Sequence, residues 1–132
     1  MMDRVCHFEV PYEDKARMEK FYSEVFKWQF HDTPGEMPYT FIFTTEVNEQ
    51  FMPQQPGGIN GGSYPRGDCG SRSPVVVIEV DSCEQRVKDV QAAGGSLVLG
   101  PNNAGGMGIY AQVKDVEGNI IGLWQPLPPQ SA

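Results

Sequence analysis

Two stretches of the chain carry the same order of apolar and polar positions. The first opens at Val5 with VCHFEV and the second at Val75 with VVVIEV. Strand neighbours point to opposite faces. Cys6, Phe8 and Val10 therefore make one apolar face, and Val5, His7 and Glu9 the other. In the second stretch Val76, Ile78 and Val80 share a face, and Val75, Val77 and Glu79 face away from it. Each strand gives way to a helical period. Met18, Phe21, Tyr22, Val25 and Phe26 fall on the i, i+3, i+4, i+7, i+8 stripe of an amphipathic helix. Cys83, Val87 and Val90 make a shorter stripe, opened by Asp81 or Ser82 as N-cap and closed by Gly94 and Gly95. Three strand-like segments follow each helix. They are KWQFHD, YTFIFTTEV and GGINGG after the first, and GSLVLG, GIYAQVKD and NIIGLWQP after the second.

This internal repeat, 70 residues long from HFEVPYE at 7–13 to VIEVDSC at 77–83, predicts an α+β fold of two tandem βαβββ modules. A single domain spans residues 4–126, with module one at 4–60, a linker of loop residues at 61–74 and module two at 75–126; residues 127–132 read as a frayed tail. Between helix and sheet, module one is expected to bury Phe8, Met18, Phe21 and Val25, and module two Ile78, Val87 and Val90. The opposite face mixes His7, Glu9 and Glu79 with apolar residues. A solvated face is more polar than this, so it reads as the lining of a cleft.

Composition narrows the function classes. The length of 132 residues suits one domain. A net charge of −7 with no Lys/Arg cluster argues against nucleic acid and against an anionic membrane surface as partners. No apolar run approaches the ~20 residues of a membrane span, and the Met-Met-Asp-Arg start lacks the apolar core of a signal peptide, so a cytoplasmic protein is expected. Cys6, Cys69 and Cys83 are odd in number and lack zinc-type spacing, which speaks against a disulfide framework or a metal knuckle. Cys83, near a helix N-terminus, is read as a small apolar contact rather than a reactive thiol.

The doubled pattern resembles the vicinal oxygen chelate superfamily of glyoxalases, bleomycin-resistance proteins and extradiol dioxygenases. VCHFEV, KFYSEVFKW, AAGGSLV and DVEGNIIGLWQP carry the resemblance, over roughly residues 4–126. It implies a U-shaped mixed sheet forming a cup, helices on the outside and a homodimer. In metal-dependent members, four inward side chains from the first and last strand of each module hold a divalent ion. The matching positions here are His7, Val77, Gly122 and a residue near Gly58. Two of these lack a coordinating side chain and the fourth falls among glycines. About three protein ligands are needed for a metal site, so the resemblance implies no metal cofactor, and Gly122 leaves space where a carboxylate would project.

The candidate catalytic residues are His7, as a general base with a pKa near neutrality, and Glu9 and Glu79, at equivalent positions and set to face one another across the cup, as acid and base partners. The plain alternative makes all three hydrogen-bonded wall residues. Trp124 shares parity with Gly122, and its ring beside the gap suits a flat or apolar ligand, or fills core. Tyr110 and Phe41 are further aromatic candidates for ligand binding. NAGGMG, at 103–108, lacks the Lys and the following helix of a phosphate loop and reads as a mobile loop over the cup mouth. His31 and Asp32 read as a solvated strand end. Two function classes stand. One is a small-molecule isomerase, epimerase or lyase without the complete family metal site. The other is a non-catalytic binding or sequestering protein of the bleomycin-resistance type.

Overall fold

The computed structural model describes residues 2–34, 38–67 and 71–128. Cys69 and residues 129–132 of the expected tail lie outside the described residues. Ten elements follow one another: β1 (Val5–Tyr12), α1 (Lys15–Phe26), β2 (Gln29–Asp32), β3 (Thr40–Phe43), β4 (Gly61–Pro65), β5 (Val75–Glu79), α2 (Cys83–Ala92), β6 (Ser96–Asn103), β7 (Gly108–Lys114) and β8 (Ile120–Pro126). The fold is α+β, and βαβββ occurs twice. The chain divides into two compact units, His7–Pro74 and Val75–Ala132, the latter joined by Met1–Cys6.

In the N-terminal unit the strand order is β2-β3-β4-β1. β1 and β4 run parallel, and the other neighbours are antiparallel. The C-terminal unit repeats the scheme as β6-β7-β8-β5, with β5 and β8 parallel. Its core packs Val80, Cys83, Val87, Ala111, Val113 and Leu123 between α2 and the sheet, with Ile78 and Val90 against them. Val76, by contrast, is about half exposed. Ser82 caps α2 by accepting from the Gln85 N–H at 3.1 Å, which selects it over Asp81. Cys83 is fully buried, its Sγ donates to the Ile109 carbonyl at 3.2 Å, and burial pushes its thiol pKa up, as befits an apolar contact.

Three expectations need correction. The last strand of module one is not GGINGG but GGSYP, inside the stretch read as connecting loop. Glycine, serine and proline are poor strand formers, yet small residues are required there. A Cβ on Gly61 would collide with the backbone and ring of Phe8 on the parallel strand. The second correction concerns α1. Phe21 and Val25 are 54% and 55% exposed, and no residue of the helix is fully buried. The face turned inward carries Lys15, Met18, Glu19, Tyr22 and Ser23, so only the Met18–Tyr22 edge of the apolar stripe meets the sheet. Lys27 takes a left-handed conformation, φ 65°, and turns the chain so that the Trp28 ring stacks on Tyr22 at 4.6 Å and 4°. The third is NAGGMG. β6 and β7 run into it from both sides and leave a tight hairpin turn, closed by Ala104 N–H to the Gly108 carbonyl at 2.8 Å.

Candidate functional site

Each unit has a sheet face turned away from its helix, and the sequence-predicted site residues stand on these faces. In the N-terminal unit, register fixes the set. Phe8 pairs with Gly61 and Glu9 with Gly62, while Phe41 pairs with Gly62 from the other side. His7, Glu9 and Phe41 therefore share a face. Tyr39, two residues before Phe41 and so of the same parity, joins them. The His7 Nε2 lies 2.8 Å from the Tyr39 phenol oxygen, and the Tyr39 ring meets Phe41 edge-on at 6.0 Å and 81°. Gly62 makes this possible, because a Cβ there would overlap the Tyr39 phenol. Glu9 is buried in mid-strand at 3% exposure.

Burial pushes the His7 pKa down to about 4. Removing an imidazolium from water disfavours the charged form. The expected near-neutral pKa is thus corrected: His7 is a neutral imidazole at physiological pH and a weak base.

In the C-terminal unit Trp124 pairs with Glu79 on one side and with Tyr110 on the other. Glu79 forms an ion pair with Arg4 at 3.6 Å, and its side chain is 37% exposed. The Trp124 indole lies over Gly108, where a Cβ would overlap it. Gln112 Nε2 donates to the Tyr110 phenol oxygen at 2.7 Å, and Gln112 is itself buried. Gly122 stands between Val77 and Gln112 in the register. The space expected beside it is taken. A Cβ on Gly122 would lie 3.0 Å from Val77 Cγ2 and 3.3 Å from the Tyr110 oxygen.

Tyr39 and Gln112 escaped the sequence reading. Each lies two residues from a named candidate, Tyr39 from Phe41 and Gln112 from Tyr110, and strand alternation finds them once a strand is placed and its facing known.

The residues present do not fit a divalent metal. The corrected β4 moves the fourth family position from near Gly58 to Asn60, one step before the Phe8–Gly61 pair and so beside His7. Asn60 Oδ1 already accepts from Thr44 N–H at 2.8 Å and Thr45 N–H at 3.1 Å. Val77 and Gly122 offer no donor atom. Among the described residues no group of three or more His, Cys, Asp or Glu side chains converges.

Comparison with solved structures agrees with this fold. A hypothetical protein from Bacillus halodurans superposes with a TM-score of 0.63 at 12% identity, over 100% of both chains. Methylmalonyl-CoA epimerase from Mycobacterium tuberculosis gives 0.59 at 13% identity, over 93% of this chain and 87% of the other. Streptomyces coelicolor methylmalonyl-CoA epimerase, in complex with 2-nitronate-propionyl-CoA, gives 0.66 at 10% identity, over 100% of both chains. No curated protein matches the sequence. The model of one family matches residues 4–123. With the doubled βαβββ order and its two parallel first–last strand pairs, that match, covering nearly the whole chain, places it: the protein belongs to the Glyoxalase/Bleomycin resistance protein/Dioxygenase superfamily.

Proposed function

We propose that the protein is a small-molecule-binding member of its superfamily that holds its ligand through neutral hydrogen-bonding groups and without a family-type metal. The observation that carries this is the filled position at Gly122, where the Tyr110 phenol, bonded to Gln112, stands in the space of a metal-binding carboxylate. In the C-terminal unit Trp124 adds flat apolar surface next to Tyr110; the N-terminal unit, taken by itself, carries a neutral polar pair in His7 and Tyr39 with the Phe41 ring beside it. A mostly apolar lining with few polar groups is what small-molecule pockets use. Binding is favoured over proton transfer by His7, because a general base works best with a pKa near the working pH, and His7 sits at about 4. Glu79 is tied to Arg4. A proton-transferring enzyme remains the second reading through Glu9, a buried carboxyl on the face of His7.

The test is a thermal-shift screen of neutral and anionic metabolites, repeated with chelator. Hits that survive chelator and are lost in Tyr110→Phe and Gln112→Ala support the reading. Hits abolished by chelator overturn it. The second reading is checked by incubating the protein with methylmalonyl-CoA in deuterated water, since epimerases of this fold are among its structural neighbours. Solvent-derived deuterium at the carbon between the carbonyl groups, lost in Glu9→Gln, identifies an enzyme.

The working form is proposed as a cytoplasmic homodimer, without nucleic-acid or membrane partners. Exposed Phe21, Val25 and Phe26 on α1 support a partner surface, and no described helix is long and apolar enough to cross a membrane. Sedimentation at micromolar concentration should show twice the 14.6 kDa chain mass; a pure monomer there refutes the dimer.

A further inference from the structure

The N-terminal unit carries a row of rings on the sheet face turned away from α1, and a loop ends that row with a ring on a strained backbone. Phe43 lies two residues from Phe41 on β3 and so on the same face. The His31 ring, from the neighbouring β2, lies 5.0 Å from it at 56°. Gly61 pairs with Phe8 on one side and with Ile42 on the other, so one step along both His7 and Phe43 stand opposite Asn60. His7 and Phe43 are thus two strands apart on one line across the sheet, about 10 Å at the usual strand spacing. Asn60, between them, is turned to the Thr44 and Thr45 N–H groups.

Residues 44–60 form the loop from β3 to β4. Its base is tied by that Asn60 clamp and by the Thr44 hydroxyl, which donates to the Ile59 carbonyl at 2.6 Å. Its tip is a tight turn built on Asn48. The Asn48 N–H donates to the Met52 carbonyl and its own carbonyl accepts from the Phe51 N–H, each at 2.9 Å. Its Oδ1 accepts from the Gln50 and Met52 N–H groups at 2.9 and 3.1 Å. These bonds hold Phe51 in the left-handed region, φ 61°. That conformation crowds the Cβ of any L residue and is an outlier for a bulky one. Glycine would make the same turn without strain. Burial does not offset the strain, because Phe51 is 71% exposed. Its one ring contact among the described residues is Phe43, near-parallel at 6.4 Å and 14°. A strained residue at an exposed tip argues for a binding role over a packing one.

The geometry points to a seat for a flat aromatic ligand on this face, with Phe51 as the residue that selects it. The ligand's ring system lies on Phe43 and Phe51, and a hydrogen-bonding group on it reaches the His7–Tyr39 pair. This rests on the metal-free binding reading, applied to the N-terminal unit alone. None of these four rings is fully buried, so a ligand can reach them. Aromatic faces and edges attract one another beyond the area they bury, which favours a flat ring over a saturated one of equal size. The distance of about 10 Å between the His7 and Phe43 positions suits a fused bicycle with one polar substituent.

2-Naphthol, a flat bicycle with one hydroxyl, is the probe, and the saturated decahydro-2-naphthol is the comparison. Fluorescence titration of the full chain with 2-naphthol, in the presence of chelator, should saturate. Decahydro-2-naphthol should compete about tenfold more weakly or worse. Phe51→Gly should weaken 2-naphthol binding by about tenfold or more, whereas Phe51→Tyr keeps the ring and should bind as the parent does. Met52→Ala, the neighbouring 54% exposed position, should leave the titration unchanged. Absence of saturable binding overturns the inference, as does equal affinity in Phe51→Gly or equal affinity for the two alcohols. A Phe51→Gly chain that sediments as a monomer where the parent is a dimer places the ring in a subunit contact and also overturns it. If Phe51→Gly does not fold, nuclear Overhauser contacts on the unmodified protein decide. Contacts from 2-naphthol to the Phe43 and Phe51 rings support the seat, and contacts to Trp124 alone refute it. Binding that chelator abolishes refutes the metal-free reading; binding that survives chelator but ignores Phe51 refutes the seat alone.

Discussion

The Tyr110 phenol oxygen lies 3.3 Å from where a Cβ on Gly122 would stand, and Gln112 holds it there with a 2.7 Å hydrogen bond. The glycine is therefore a seat for a neighbouring ring and not an open gap. The same device recurs with Gly61 against Phe8, Gly62 beneath Tyr39 and Gly108 beneath Trp124. In each case the missing side chain lets an aromatic group lie close to the sheet.

Gly122→Ala should be destabilising. The new methyl meets Val77 Cγ2 at 3.0 Å, tighter than ordinary contact, and overpacking costs about 1–3 kcal/mol. Urea denaturation measures this. Adding Val77→Ala should recover part of the loss, a coupling that a double-mutant cycle detects. Gly122→Leu should cost more, because the larger side chain must expel the Tyr110 phenol from Gln112. A Gly122→Leu protein as stable as the parent would show that the space is open after all.

Gly62→Ala should break the His7–Tyr39 pair. The added Cβ overlaps the phenol, so the Tyr39 ring must swing off the sheet. The expected signature is a change in the His7 ring nitrogen resonances, with a destabilisation of about 1–3 kcal/mol. Unchanged His7 resonances would mean that Tyr39 does not depend on this glycine.

His7 should make the fold weaken as pH drops. Its pKa falls from 6.5 to about 4 on burial. Between these values the unfolded chain binds a proton that the folded chain refuses, so stability rises with pH there. His7 contributes no pH dependence above about 6.5, and roughly 3 kcal/mol is lost by pH 4. Asp3, Glu13, Asp32 and Asp115 are all held below the usual carboxylate range, by Arg86, by Arg66, by Lys15 and by Asn119 respectively. Their contributions are full at neutral pH and begin to be lost only once the unfolded chain's carboxyls take up protons, below about pH 5, so they leave the window between about pH 5 and 6.5 to His7. Denaturation midpoints of His7→Gln across that window should be flatter than the parent's.

Phe21→Ala should cost less than about 1 kcal/mol, because the ring is 54% exposed. Leu123→Ala, at 4% exposure in the core of the C-terminal unit, should cost about 2–5 kcal/mol. Thermal denaturation of the two variants makes the comparison. A large loss in Phe21→Ala would place that ring in an interface and support the dimer.

Much of the architecture was legible in the chain because it follows from local period. Alternation located β1, β5 and β8, the i, i+3, i+4 stripes located both helices, and the 70-residue repeat paired the halves. Parity put His7 with Glu9, and Trp124 with Gly122, on their faces. What local pattern does not encode is what stands across a ladder. β4 is built from Gly61, Gly62, Ser63, Tyr64 and Pro65, which read as loop by propensity and form a strand because Phe8 and Tyr39 need small residues beneath them. The helical stripe of α1 shows that one side is apolar, but which edge of it meets the sheet depends on the Lys27 turn and the Trp28 stack. The pKa of His7 depends on burial, and the fate of the space at Gly122 depends on a ring from β7 that no spacing in the sequence predicts. Periodicity along one segment is a property of the chain; contact between segments is decided only when register brings their side chains together.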